Sequence, residues 1–103
     1  LDQWENLKKE PAQKEILIFK FSPTCPVSHS VEREFDQWMS DHADNLIGLK
    51  VDVIRSRPLS QHLADEFGVR HESPQVLWLT AERKVKWSAS HGQINAQALD
   101  RNL

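Results

Sequence analysis

One cysteine, Cys25, and three glycines are all that 103 residues contain of either type. A lone thiol closes no internal disulfide, so a disulfide-stapled scaffold is excluded. The glycines fall in no phosphate-cradling spacing, and a Cys-x5-Arg phosphatase loop on Cys25 would need arginine where Val31 stands. No long apolar run is present either: Leu1 to Glu15 is charged, which argues against a signal peptide or membrane span there. Charge of one sign is also missing. Thirteen basic and fifteen acidic residues leave a net charge of -2 and are interleaved, so there is no basic stripe for nucleic acid. With 39% hydrophobic and 27% charged residues, the chain reads as one globular domain over 1-103, and an unpaired cysteine makes a reducing cytoplasm the expected compartment.

What is present has α/β order. Trp4 and Leu7 in a polar segment predict a short amphipathic helix ending before Pro11. Glu15 to Phe21 reads EILIFKF, a strand buried on both faces. Val27, Val31, Phe35, Trp38 and Met39 recur on one helical face, and Leu46 to Val53 is a second strand, parallel to the first by the crossover rule. Pro58 opens a third helix carrying Leu59, Leu63 and Phe67, with Gly68 as its C-cap. Val76 to Leu79, a polar turn, then Val85 and Trp87 form an antiparallel hairpin, and Ile94, Ala98 and Leu99 close the chain as a helix. Trp38, Trp78 and Trp87 fall on apolar faces and are assigned to the core.

The chemistry concentrates where the first strand gives way to the second helix, at Thr24-Cys25-Pro26-Val27-Ser28. Cys-x-x-Ser has the spacing of a dithiol redox motif with a hydroxyl in place of the second sulfur, which leaves exchange with an external thiol as the natural use. With Cys25 as N-cap, Pro26 is N1, where a missing N-H costs nothing. The Val27 and Ser28 N-H groups and the Ser28 hydroxyl then face the sulfur, and all three favour the thiolate. The alternative for Cys25 is a small buried hydrophobe, the common fate of a free cysteine. His29, His42, His62, His71 and His91 show no zinc-ligand spacing, no metal is expected, and solvent-facing positions account for them.

The order α-β-α-β-α-β-β-α is that of a thioredoxin-like fold, a central four-stranded mixed sheet flanked by helices, and the motifs agree with it. ILIFKFSPTCPVS resembles the first core strand and active-site turn of thioredoxins and glutaredoxins, LKVDV resembles their next strand, and FGVRHESPQVLWL resembles their cis-proline strand. Within that superfamily the TCPVS turn and the lead into Ser73-Pro74-Gln75 look most like the monothiol bacilliredoxins of the YtxJ kind. The resemblance implies a cis Ser73-Pro74 bond facing the cysteine turn, although a trans proline starting an edge strand reads equally simply from the residues. It also puts Phe19 where thioredoxins carry a buried acid, consistent with the absence of a second thiol to deprotonate.

The same resemblance implies an activity: thiol-disulfide exchange in which Cys25 removes bacillithiol from client proteins. No bound cofactor is expected. Bacillithiol is the co-substrate, bacillithiolated clients and bacillithiol itself are the partners, and a bacillithiol disulfide reductase acts downstream. Thr24, Pro26, Ser28, Ser73 and Pro74 form the implied substrate groove. Arg70 and His71 are candidates for a cationic rim beside it, their alternative being a solvated loop, and Gln75 is a candidate polar contact past the proline. Two alternatives to turnover remain open from the residues: a redox sensor that traps mixed disulfides, and a binding module whose cysteine is incidental.

Overall fold

The computed structural model describes residues 2-9, 14-42, 44 and 46-103. Within them, α1 (Asp2–Lys9) precedes β1 (Glu15–Phe21), α2 (Pro26–His42), β2 (Leu46–Asp52), α3 (Arg57–Phe67), β3 (Gln75–Leu79), β4 (Val85–Ser90) and α4 (Ala96–Asp100), with a 3-10 turn at His91–Gln93 before the last helix. The helix before Pro11 and both core strands fall where the pattern puts them, and Pro11 itself lies outside the described residues.

The strands form one sheet in the order β2-β1-β3-β4, with β2 parallel to β1 and the other neighbours antiparallel. β1 is central, so the expected burial on both faces follows: Ile16 to Lys20 are all fully buried. Alternate residues serve two cores. Leu17 and Phe19 pack with Val31, Phe35 and Trp38 of α2, while Ile16 and Ile18 pack with Trp4 of α1 and Leu63 of α3. β2 lies at an edge and alternates, with Leu46 and Val51 buried between partly exposed residues. The indole N-H groups of Trp4, Trp38 and Trp78 each donate to a carboxylate, Glu66, Asp100 and Glu15 respectively, so burying these rings leaves no unpaired donor. Gly68 takes the left-handed conformation (φ 63°) expected of a C-cap, and the Val69 N-H returns to the Ala64 carbonyl.

Two expectations need correction. Val27 is 52% exposed, because the buried stripe of α2 runs Ser28, Val31, Phe35, Trp38 at spacings of three and four; Val27 is about 100° round from Ser28 and leaves the sheet. Ile94 is buried but precedes α4, whose N-cap is Asn95, with the Asn95 side chain accepting from the Ala98 N-H at 2.9 Å. Trp87 is half-buried and packs against the core as expected, edge-on to Trp78 with ring centroids 6.4 Å apart, while Ala89, further along the same face, is the buried β4 residue.

Candidate active site

The turn that carries the thiol is held from both sides. The Cys25 N-H donates to the Ser22 carbonyl at 3.2 Å, closing a turn over Ser22-Pro23-Thr24-Cys25. The Cys25 carbonyl accepts from the His29 N-H at 3.3 Å, the first bond of α2, which makes Cys25 the N-cap and Pro26 N1. Ser28 is fully buried, and its hydroxyl oxygen accepts from the Ser22 N-H at 3.3 Å, leaving its proton for the sulfur.

Cys25 is half-buried and free. Its thiol is held below the ordinary cysteine value chiefly by the Ser28 N-H, against an opposing desolvation, with further help from the Val27 N-H and the Ser28 hydroxyl. These are the donors that the Cys-x-x-Ser spacing calls for, and the buried-hydrophobe alternative is disfavoured. Alkylation of Cys25 should therefore have a pH midpoint below that of free cysteine, and Ser28→Ala should move it upward. A wild-type midpoint at or above the free-thiol value would contradict the N-cap arrangement.

Thr24 is exposed, with its hydroxyl 3.2 Å from that of Ser22, and Pro26 is exposed at the head of the helix. His29 braces the turn in a way the sequence reading missed: its Nε2 lies 2.8 Å from the Pro23 carbonyl, to which the ring N-H donates. The only sequence signal was its place one residue past Ser28.

The Ser73-Pro74 bond is cis. Pro74 is buried, with its carbonyl accepting from the His91 N-H at 3.0 Å, and the Ser73 hydroxyl is buried with no partner among the described residues. Gln75 does not supply the expected contact to substrate. It is 2% exposed and its amide turns inward, donating to the Arg70 carbonyl at 2.8 Å, because the first residue of a central strand has its side chain packed rather than presented.

Arg70 and His71 both border an open hollow along α3, with Gln61, Ala64, Asp65 and Gly68. His71 also borders a cavity of about 270 Å³ together with Val53, Ile54, Arg57, Ser60 and Gln61, and its Nδ1 lies 3.1 Å from the Ser60 hydroxyl. Next to Ser60 is a residue the apolar reading of β1 passed over. Lys20 is fully buried, and its ammonium donates to the Ser60 carbonyl at 2.9 Å. Burial lowers its pKa to about 8. His71 is lowered too, first by burial and then by the charges of Lys20 and Arg57, against Glu72.

The fold also gathers Glu5, His62 and Glu66 across α1 and α3, with ligand atoms within 4.8 Å of one another. No sequence spacing announces this cluster. The Glu66 carboxylate already accepts from Trp4 and Lys8, and the group ties α1 to α3 as a surface ion-pair network.

Among the described residues no helix is long and apolar enough to cross a membrane. Comparison with known proteins places this geometry. The family model for monothiol bacilliredoxin BrxC matches residues 1-99. A solved structure described as a candidate oxidoreductase with a thioredoxin fold is 29% identical, with a TM-score of 0.87 over 99% of this chain and 87% of the other. Thioredoxin from Fasciola hepatica (17% identity, TM-score 0.74, 97% and 88% of the two chains) shares the fold. So does the germline-specific thioredoxin Deadhead of Drosophila melanogaster (15%, 0.73, 97% and 88%).

Proposed function

The chain belongs to the monothiol bacilliredoxin family, a thioredoxin-like group of oxidoreductases, and from that premise we propose that it removes bacillithiol from mixed disulfides on client proteins. The observation that carries this reading is a single thiol at the N-cap of α2, aimed at by the Val27 and Ser28 N-H groups, with a hydroxyl where a second thiol would stand.

In the first step the Cys25 thiolate attacks the bacillithiol sulfur of the client disulfide. A new S-S bond forms between Cys25 and bacillithiol, the old one breaks, and the client sulfur leaves as a thiolate that takes a proton from solvent. Ser28 offers no sulfur to reverse the adduct. A free bacillithiol thiolate therefore attacks the adduct's bacillithiol sulfur, restoring the Cys25 thiolate and releasing bacillithiol disulfide. The exchange conserves electrons; net reduction belongs to a separate reductase acting on that disulfide. Lowering the thiol pKa helps twice, because it raises the thiolate fraction and makes Cys25 a good leaving group in the second step.

Intact mass tests the reading. After incubation with a bacillithiolated client, the protein should gain one bacillithiol while the client loses one, and added bacillithiol should return the protein to its free mass. A protein-client conjugate that persists with bacillithiol present would instead identify a trap, and an unchanged client would identify a binding module.

A further inference from the structure

Lys20 is out of place in its strand. Alternate residues of β1 point at α1 and α3, so position 20 follows Ile16 and Ile18 into the core of Trp4, Val51, Leu63 and Leu77, which an apolar side chain would complete. Instead a fully buried ammonium donates to the Ser60 carbonyl at 2.9 Å. An ammonium carries three donors, and this one has a single acceptor among the described residues. Burying a charge with one neutral partner lowers stability, so what Lys20 contributes lies in what its neighbours hold.

Those neighbours lead to residues 70-74, the segment between α3 and β3. Ser60, itself 1% exposed, has its hydroxyl 3.1 Å from His71 Nδ1. Gln75 stands directly opposite Lys20 in the β1-β3 ladder, on the same face, and its amide donates to the Arg70 carbonyl at 2.8 Å. The Gln75 Oε1 is buried without a partner among the described residues, a spare acceptor on the residue paired with Lys20 and its spare donors. The segment thus hangs from two buried side chains, Ser60 and Gln75, with Lys20 bonded to one and facing the other across the ladder.

The same ladder brings the segment to the thiol. Past Lys20 and Gln75 the two antiparallel strands continue as Phe21-Ser22 and Pro74-Ser73. Ser22 accepts from the Cys25 N-H at 3.2 Å and donates its own N-H to the Ser28 hydroxyl at 3.3 Å. The N-H and C=O of Ser73 make no hydrogen bond among the described residues, so an extended chain beside Cys25 can pair with them.

We infer that Lys20 is a positioning residue for the client half of the mixed disulfide: its ammonium, through Ser60 to His71 and through Gln75 to Arg70, fixes residues 70-74 so that Ser73 meets the client backbone beside Cys25. The inference rests on the proposed reaction in taking a protein mixed disulfide as substrate, and it concerns the half that leaves rather than the half that Cys25 takes up. The charged groups around the Ser60-His71 link are Lys20, Arg57 of α3 and Glu72 of the segment itself. β2 and β3 give Val51 and Leu77 to this core, and the α1 charges Glu5 and Lys8 pair with His62 and Glu66 instead. His71 is held below its ordinary 6.5 and is neutral above that pH, so Lys20, with its value near 8, is the member of this cluster that titrates there.

The test compares client exchange with iodoacetamide alkylation, whose reagent has no chain to align, in wild type and Lys20→Met at a series of pH values from 7 upward. Alkylation reports the Cys25 thiolate alone, so the ratio of the two rates removes the titration of the thiol. At pH 7 Lys20→Met should raise the client KM about fivefold, the scale of one charge-assisted hydrogen bond, with kcat and alkylation unchanged. The gap should close as wild type loses the Lys20 proton through about pH 8. A client carrying 2-mercaptoethanol in place of bacillithiol should show the same gap, because the contact is to the half that leaves. An unchanged KM, or a gap that stays constant with pH, would overturn the inference. A second arm needs no exchange: the amide resonances of Arg70, His71 and Ser73 should shift through a midpoint near pH 8 in wild type and stay fixed in Lys20→Met. Amides that ignore pH over this range in both proteins would overturn the positioning role even if debacillithiolation holds. The same KM gap on the mercaptoethanol client, with no release of bacillithiol from the other, would sustain that role and remove the proposed reaction.

Discussion

Cys25→Ser is expected to take up no bacillithiol at all, and Ser28→Cys to hold it only transiently. The first expectation follows from there being one thiol in the chain. The second follows from where Ser28 sits: three residues past the N-cap, fully buried, with its hydroxyl among the groups that hydrogen-bond the Cys25 sulfur. Residues one helical turn apart are within the span of a disulfide, so a thiolate at position 28 can attack the Cys25 sulfur of the adduct and expel bacillithiol without a second molecule. On incubation with a bacillithiolated client, the steady-state adduct should fall at least tenfold below wild type, and a protein two hydrogens lighter should appear. The cost is modest: the Ser22 N-H exchanges an oxygen acceptor for a weaker sulfur, about 1 kcal/mol. If the variant accumulates the adduct as wild type does, position 28 does not face the nucleophile and the two-molecule release scheme loses its structural basis.

The parts legible in the sequence were those fixed by local physics. A seven-residue run with an apolar centre makes β1, a proline after a cysteine marks the head of α2, and a glycine after Phe67 stops α3. Those three features set the thiol on its helix, so Cys25 and its donors could be named from five residues. What the sequence hid depends on segments far apart. Lys20 reads as an interruption in an apolar strand, and its burial makes sense only when Ser60, forty residues on, brings a carbonyl to it. The cavity draws Val53 from the end of β2, Arg57 from α3 and His71 from the loop before β3, three segments with no shared periodicity. Arg70, the more obvious cation, borders the adjoining hollow, which shares Gln61 and His71 with that cavity. Val27 and Ile94 were misplaced for a different reason: each is apolar and adjacent to a true helical stripe, Val27 one residue out of phase with it and Ile94 set before the N-cap Asn95.

Lys20→Met is expected to make the protein more stable. Methionine matches the stem of lysine and brings no charge to a fully buried position, so removing the desolvated ammonium should raise stability at pH 7 by ~2 kcal/mol, roughly 10 °C in thermal midpoint. The dependence on pH gives the signature. Lys20 has a folded pKa of about 8 against an ordinary value of 10.5. Below pH 8 both states hold the proton and the fold carries the whole cost of the buried charge. Between pH 8 and 10.5 the unfolded chain keeps the proton that the folded chain has released, so wild-type stability gains with rising pH over this window. Above it the contribution is flat. Lys8 and Lys50, whose values are raised by their carboxylate partners, lose stability at still higher pH, and they do so equally in both proteins. The stability difference between Lys20→Met and wild type, measured by chemical denaturation, should therefore shrink from pH 8 to pH 10.5. A constant difference would mean that the side-chain shape, not the charge, sets the effect.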